Sequence, residues 1–342
     1  MRKLATVQKI KNIRPIENAD RLEKANVEAF QVVVPKGNHR EDELVVFFEA
    51  DSFLPVEDRY NFLTSSYKDN EIMGQGYRIK VQKLRGTITH GLVMSLDDFP
   101  EITNPEENLD VTELLNVKKW DMSREDAIIG DPKPNAKPSF VPTTDEIRIQ
   151  TKAQLIEELT GKPFYISTKI DGMSVTMYVR DGEFGITSRK VNVPNTEHNK
   201  IWKFARENNI EEKLRELSKK LDKPIILQGE FAGPGIQSNK LGLDNHHWYV
   251  FNVFINGQLQ NLKNMIDIVT ELDLEPVPIE FVGDEFDMTM EELFKQASTG
   301  KYPNGHIKEG IVVRSREAEF SDTLQKGLSF KVINDEFWSQ ED

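Results

Sequence analysis

Apolar and polar positions in the first hundred residues fall into short β-like runs, LATVQKIKNI, VEAFQVVV, ELVVFFEA, YRIKVQKL and GLVMSL, separated by PIENAD, PKGNHRED and RGTITH. Runs of that length with turn residues between them predict strands. About five or six such strands fit a small closed or nearly closed barrel, of which the OB fold is the commonest kind. From about residue 141 the pattern is mixed. TTDEIRIQTKAQLIEEL opens with Thr and acidic residues that suit a helix start, and NTEHNKIWKFARENNIEEKLRELSKKL carries apolar residues at helical spacing. FYISTK, VTMYVR, FGITSR, PIILQGEF, WYVFNVFI, GIVVRS and LSFKVI read as strands, with Asp181 and Gly182 turning one hairpin. Helices and strands alternate without regular βαβ spacing, which predicts an α+β domain of largely antiparallel sheets with flanking helices. Between the two patterns, Pro105, Pro132, Pro134 and Pro138 stand among acidic and Asn-containing sequence. The expected organisation is a barrel over residues 1–100, a linker or extended connection over 101–140 and the α+β domain over 141–342.

Composition narrows the function classes. A chain of 342 residues is long enough for two cores, and 38% apolar with 9% aromatic residues is a globular composition. The absence of cysteine removes disulfides, thiolate metal sites and thiol catalysis. MRKLATVQKIKN lacks the apolar segment of a secretory signal, so the expected location is intracellular and cytoplasmic. No run approaches the ~18 apolar residues that span a bilayer, and no membrane role is expected. The net charge of −13 argues against a broadly basic nucleic-acid binder. Its distribution softens that, because residues 1–100 carry 15 Lys and Arg against 15 Asp and Glu and the whole deficit lies beyond them. In the barrel, Lys9, Lys11, Arg14, Arg21, Lys24, Lys36, Arg40, Lys83 and Arg85 are interleaved with acids, so folding must assemble any binding stripe.

The candidate chemistry centres on Lys169 in FYISTKIDGMSVTMY. Lysine, any residue, aspartate, glycine at the end of a β-rich run is a way to present a lysine as a covalent nucleophile. Further stretches follow in order, each in or beside a predicted strand: Ser188 and Arg189, Gly229 and Glu230, Tyr249 to Phe254 (YVFNVF), Lys308 to Gly310 before IVVR, and Ser329 to Asn334 (SFKVIN).

This series resembles the covalent nucleotidyltransferases, the superfamily of DNA ligases, RNA ligases and mRNA capping enzymes, from about residue 141 to the end. Within it the chain looks most like the ATP-dependent RNA ligases that carry an OB domain ahead of the transferase domain. PIENADRLEKANVEAFQVVVPKG and KLRGTITHGLVMSL resemble that N-terminal module. The implied fold is α+β: an N-terminal β-barrel (OB fold), then a nucleotidyltransferase (ATP-grasp-like ligase) domain.

The resemblance implies roles for these residues. Lys169 attacks the α-phosphate of ATP as a neutral amine, giving lysyl-AMP and pyrophosphate. A free lysine titrates near ~10.4 and is only about one part in a thousand neutral at cellular pH, so nearby cations, a bound Mg2+ and Lys331, are expected to lower it. Gly172 lets the backbone turn sharply after the nucleophile. Asp171, Glu230 and Glu309 are the candidate holders of Mg2+ or Mn2+, directly or through water, with Glu230 shared between metal water and the ribose hydroxyl. Arg189 binds AMP or the 5′-phosphate end through its donor fork. Phe251 stacks on adenine, and Tyr249 or Phe254 is core. Lys331 neutralises the α-phosphate. Thr168, beside the nucleophile, joins the nucleotide-binding set, as do Arg148 and Gln150 against a competing reading of an ordinary amphipathic helix. Many relatives have a second lysine two residues before Lys331, where this chain has Ser329. Asn195, Lys200 and Lys240 receive no role. GPGIQSNKLG is a mobile loop over the site or a plain turn, and His246 and His247 are structural.

The expected function is that of an ATP-dependent RNA ligase joining a 3′-OH RNA end to a 5′-phosphate end, with nicked duplexes among the substrates and no obligatory protein partner. DNA ligases and capping enzymes usually place an OB domain after the transferase domain, whereas only residues 332–342 follow Lys331 here. Those two enzymes are the alternatives, together with a non-catalytic RNA-binding protein that senses nucleotide.

Overall fold

The computed structural model describes residues 3–71, 73–120 and 135–340, so Pro132 and Pro134 of the expected connection lie outside the described residues. The N-terminal runs form β1 (Ala5–Pro15), β2 (Leu22–Val27), β3 (Phe30–Pro35), β4 (Leu44–Glu49), β5 (Ser52–Leu54), β6 (Tyr67–Asn70), β7 (Gly74–Arg78), β8 (Gln82–Leu84), β9 (Thr87–Thr89) and β10 (Gly91–Ser95). An antiparallel sheet in the order β10-β4-β1-β2-β3 curls until His90 N–H donates to Gln31 O at 2.9 Å, bringing the residues ahead of β10 against β3. β4 is buried on both faces. Val45 and Phe47 pack with Ile10, Val27 and Phe30, while Val46 and Phe48 pack with Val7, Leu54 and Tyr60. Two buried faces are why ELVVFFEA is apolar without alternation. VEAFQVVV is two strands: Val27 opposes Phe30 across a turn in which Glu28 takes a φ of 52°.

Residues 101–120, within the stretch read as a connection, pair with the barrel. Val7 N–H donates to Leu109 O and Val111 N–H to Ala5 O, Ile102, Val111, Leu115 and Val117 enter the barrel's second core, and β11 (Lys118–Lys119) pairs with β5 in a sheet ordered β11-β5-β7-β6. The contact pattern accordingly divides the chain into residues 1–122 with 338–342, and residues 123–337.

The second unit is built on two sheets, of strands β12 (Phe164–Thr168), β13 (Met173–Arg180), β14 (Glu183–Ser188), β15 (Ile225–Ala232), β16 (His247–Ile255), β17 (Gln258–Leu259), β18 (Glu275–Pro276), β19 (Ile279–Gly283), β20 (Gly310–Ser315), β21 (Phe320–Ser321), β22 (Lys326–Gly327) and β23 (Ser329–Ile333). One sheet runs β19-β12-β20-β23, all antiparallel, and the larger runs β14-β13-β15-β16-β17 with β18 added parallel to β16. The helices are α1 (Gln154–Leu159), α2 (Lys200–Glu207), α3 (Ile210–Leu221), α4 (Leu262–Glu271), α5 (Met290–Ser298) and, at the chain's end, α6 (Asp335–Ser339). α2, α3 and α4 cover one face of the large sheet through Ile201, Leu214 and Met265, and α5 covers the small sheet through Leu293 and Ala297.

Two helix expectations change. NTEHNKIWKFARENNIEEKLRELSKKL breaks at Asn209, whose φ of 51° is left-handed, and Asn199 caps α2 by accepting from Ile201 N–H and Trp202 N–H. In TTDEIRIQTKAQLIEEL only α1 is α-helical. Lys331 N–H donates to Ile147 O at 2.8 Å and Arg148 bridges Lys331 in parallel, so this segment's backbone is held by β23 and the amphipathic-helix reading of Arg148 and Gln150 is replaced by an extended segment and a 3-10 turn over Ile149–Thr151. Among the described residues no helix is long and apolar enough to cross a membrane.

Candidate active site

Alternation along the strands decides which side chains converge. Phe164 and Ile166 of β12, Ile311 and Val313 of β20, and Phe330 and Val332 of β23 join the core under α5. Ser167, Arg314, Ser329 and Lys331 therefore lie on the opposite face of that sheet. On the large sheet Phe231 and Val250 turn to the helices, while Ala232, Tyr249 and Phe251 form a small cluster with Ile170, Leu241, Val277 and Tyr302. Glu230, next to Phe231, shares the face of Ala232.

Lys169 follows the last residue of β12, and its N–H donates to Gly310 O at 3.0 Å. Its Nζ lies 2.7 Å from Glu309 Oε2, with both side chains at least four-fifths buried. Burial opposes the lysine's charge, but Glu309 and Glu230, the Glu309 hydrogen bond and Asp171 outweigh it and hold Lys169 above its ordinary range. The expected lowering is thus not a property of the protein groups alone, which raise it instead. The carboxylates are strained in the opposite sense. Burial, then Glu309, pushes Asp171 up to about 6 against Lys169 and Lys240. Burial, with Glu309 and Asp171 nearby, pushes Glu230 up to about 8 against Lys169 and Lys331.

Three carboxylates sharing too little positive charge, and the buried Asp171 Oδ2 without a hydrogen-bond partner among the described residues, fit a hard divalent cation. Among the described residues no three acids stand close enough together to hold a metal ion directly.

Two glycines shape the turn. A Cβ on Gly172 would meet Phe231 O at 2.6 Å and Glu230 Cγ at 2.9 Å, so the residue is small because β15 passes close by; its φ is not left-handed, and the expected sharp turn is not its reason. Gly310, at a φ of 144°, lies against the backbone of Val332 and Ile333.

Phe251 is buried in the small cluster, with the Arg314 guanidinium carbon 5.3 Å from its ring centre. Arg189 Nη1 lies 3.7 Å from Asp145 Oδ1. Thr168 Oγ1 donates to Glu280 Oε1 at 2.6 Å, and Lys308 Nζ donates to the same oxygen at 2.6 Å. Gln150 is 1% exposed, and neither atom of its amide has a hydrogen-bond partner among the described residues. Arg148 bridges the backbone of Lys331. His247 Nδ1 lies 2.9 Å from Glu275 Oε2, and His246 stacks on Phe231.

The sequence reading missed Glu146, Arg314 and Tyr302. Glu146 passed for a helix-start acid, yet it accepts from Ser329 Oγ at 2.6 Å and from Arg314 Nη2 at 3.2 Å. An arginine inside the apolar run GIVVRS was the available signal for Arg314. Tyr302 Oη donates to Lys169 O at 2.7 Å and accepts from Glu309 N–H at 3.3 Å. Burial, with Glu309 close by, raises its phenol far above the ordinary range, so it remains a donor.

The site as a whole is a buried lysine paired with Glu309, with the charges of Glu230 and Asp171 acting on it and further cations on β20 and β23 of the same sheet. A family model described as RNA ligase matches residues 162–333, and one described as an OB-fold domain matches residues 4–96. Among solved structures, Naegleria gruberi RNA ligase with PPi is 30% identical with a TM-score of 0.87, covering 98% of each chain. A lysine-to-alanine mutant of that ligase with ATP and Mn is 29% identical with a TM-score of 0.87, and a lysine-to-methionine mutant with AMP and Mn is 28% identical with a TM-score of 0.86, each covering 99% of both chains. Comparison with curated protein sequences gives no match.

Proposed function

Because the chain belongs to the RNA ligase family, we propose that it joins a 3′-OH RNA end to a 5′-phosphate end with ATP, carrying AMP on Lys169. The observation that carries this reading is the 2.7 Å contact of Lys169 with Glu309, with the charges of Glu230 and Asp171 acting on the same amine. The enzyme is an ATP-dependent RNA ligase that uses a divalent metal, as the relative solved with ATP and Mn supports. The family assignment sets aside the DNA ligase and capping-enzyme alternatives.

In the first step Lys169, after losing its proton, attacks the α-phosphate; a P–N bond forms, the bond to the β-phosphate breaks and pyrophosphate leaves. Glu309 is in hydrogen-bond contact with the departing proton's nitrogen. Asp171, Glu230 and Glu309 would hold the divalent cation. Bound there, it supplies positive charge that disfavours the ammonium form of Lys169 and offsets charge on the phosphates. Lys331, on the same face as Arg314, neutralises the α-phosphate, and Arg189 binds phosphate with its fork. Phe251 supplies an apolar ring for adenine, and Thr168, Arg148 and Gln150 line the nucleotide's surroundings.

In the second step AMP passes from Lys169 to the 5′-phosphate, forming a pyrophosphate bridge and freeing the amine. In the third, the 3′-OH attacks the bridged phosphate, a phosphodiester forms and AMP leaves. The OB domain grips the RNA beside the break, nicked duplexes are substrates, and the transferase domain begins at about residue 141. A cytoplasmic site of action belongs to the same proposal, supported by the cysteine-free sequence.

Incubation with radiolabelled ATP and Mg2+ tests the covalent step. Label on the wild-type polypeptide and none on Lys169→Ala is expected; label on both, or on neither, overturns it. Comparing nicked duplexes with ribose or deoxyribose on each side of the break tests the substrate, ribose at the 3′-OH side being required.

A further inference from the structure

We propose that Tyr302 is a positioning residue for the nucleophile: its single hydroxyl sets Lys169 against Glu309, and so governs AMP transfer to the lysine more than the later sealing step. This rests on the lysyl-AMP reading above and adds a residue to it.

The tyrosine is itself held from behind. It lies between Gly300 and Gly305, whose φ values are 81° and 87°, in a narrow loop closed by a bridge between Lys301 and Ile307. Tyr302 N–H donates to His306 O at 2.8 Å, and Gly305 N–H donates to Tyr302 O at 2.8 Å. The side chain is 4% exposed and packs in the cluster that contains Ile170 and Phe251. A ring fixed by its own backbone and by packing makes its hydroxyl a fixed point.

That hydroxyl touches backbone groups of functional residues far apart in sequence. It donates to Lys169 O at 2.7 Å and accepts from Glu309 N–H at 3.3 Å. Lys169 lies just past the end of β12, so strand pairing holds only its N–H, through Gly310 O. Its carbonyl depends on Tyr302. A buried carbonyl deprived of its donor seeks another, and the turn carrying Lys169 and Asp171 moves with it. Displacement of an attacking atom by about 1 Å costs about a hundredfold in rate, so a small shift of this turn is enough to separate the amine from its line of attack. Sealing does not use the amine as nucleophile and tolerates that shift better.

The test is Tyr302→Phe, which keeps the ring and deletes only the hydroxyl. Three readouts are taken on the full chain with Mg2+: the rate of polypeptide labelling from ATP, the ATP concentration giving half that rate, and sealing of an RNA made in advance with a 5′-adenylylated end beside a 3′-OH strand. The labelling rate is expected to fall about tenfold to a hundredfold, with half-saturation and sealing each changed by less than about threefold. Unchanged labelling overturns the proposal. Labelling and sealing falling by the same factor overturns it too, since that marks general loosening of the site, and a thermal melt shows whether the fold has weakened. Absence of label on the wild type defeats the underlying lysyl-AMP reading, an outcome distinct because it does not involve the variant.

Discussion

Ser329 donates its hydroxyl proton to Glu146 Oε2 at 2.6 Å, joining the strand position where the family resemblance predicts a lysine to an acid from the segment ahead of the transferase core. Glu146 also accepts from Arg314 Nη2 at 3.2 Å and lies 3.6 Å from Lys326 Nζ. Positive charge around this carboxylate therefore comes from Arg314, Lys326 and Lys331 without a lysine at 329.

Glu146 is expected to be a stability hinge with a defined pH signature. Burial alone would raise its carboxyl, but Arg314, Lys326, the Ser329 hydrogen bond and Lys331 hold it below the usual range. A depressed folded value means that its contribution is present above the unfolded value of about 4.3 and is lost as pH falls through the folded value. Glu146→Ala leaves Arg314, 6% exposed, without its carboxylate and should cost about 3 kcal/mol in urea unfolding at neutral pH. Glu146→Gln should flatten the acid limb of the stability curve; an unaltered limb would show that another acid controls it.

Gln150 should trade stability for nucleotide binding. An unpaired buried amide costs about 1–3 kcal/mol, so Gln150→Leu should leave the ligand-free protein as stable or up to about 1 kcal/mol more stable. ATP binding, followed by calorimetry on the Lys169→Ala background, should weaken about tenfold through loss of a polar partner. Weaker folding with unchanged binding would contradict this role.

Gly172→Ala tests close approach in the turn. The added methyl meets a backbone oxygen at 2.6 Å, which a side-chain rotation cannot relieve. Labelling from ATP should fall at least about tenfold while the far-ultraviolet circular dichroism stays the same, because a sub-ångström displacement at the nucleophile is enough.

Lys308 anchors the start of β20 through Glu280, which also receives Thr168. Lys308→Met removes one partner of a buried pair, and a loss of about 3 kcal/mol is expected. The double variant Lys308→Met with Glu280→Gln should recover part of that loss, as a double-mutant cycle would show.

Most strands and the core of the chemistry are legible in local sequence pattern. Turn residues between β-like runs mark the barrel strands, a run apolar on both faces marks β4, and the Lys-x-Asp-Gly turn with its downstream acids marks the chemistry, since each is a pattern local to a few residues. Where the local pattern was ambiguous, tertiary pairing decided: TTDEIRIQ has good helix-start residues, yet Lys331 of β23 donates to Ile147 O and bridges Arg148, so the segment is extended. Residues 101–120 look like a connection because their partners are about a hundred residues away, as with Val7 and Leu109.

The tertiary structure alone decided charge and position within the site. Lys169 is held above its ordinary range because Glu309, 140 residues later in the chain, is 2.7 Å away, and the turn that presents it is tied down by Tyr302 across a separation of 133 residues. Such contacts leave no local trace. Hydrophobic periodicity reports which face of an element is buried, whereas the distance between an amine, a carboxylate and a phenol depends on how separate strands and loops meet.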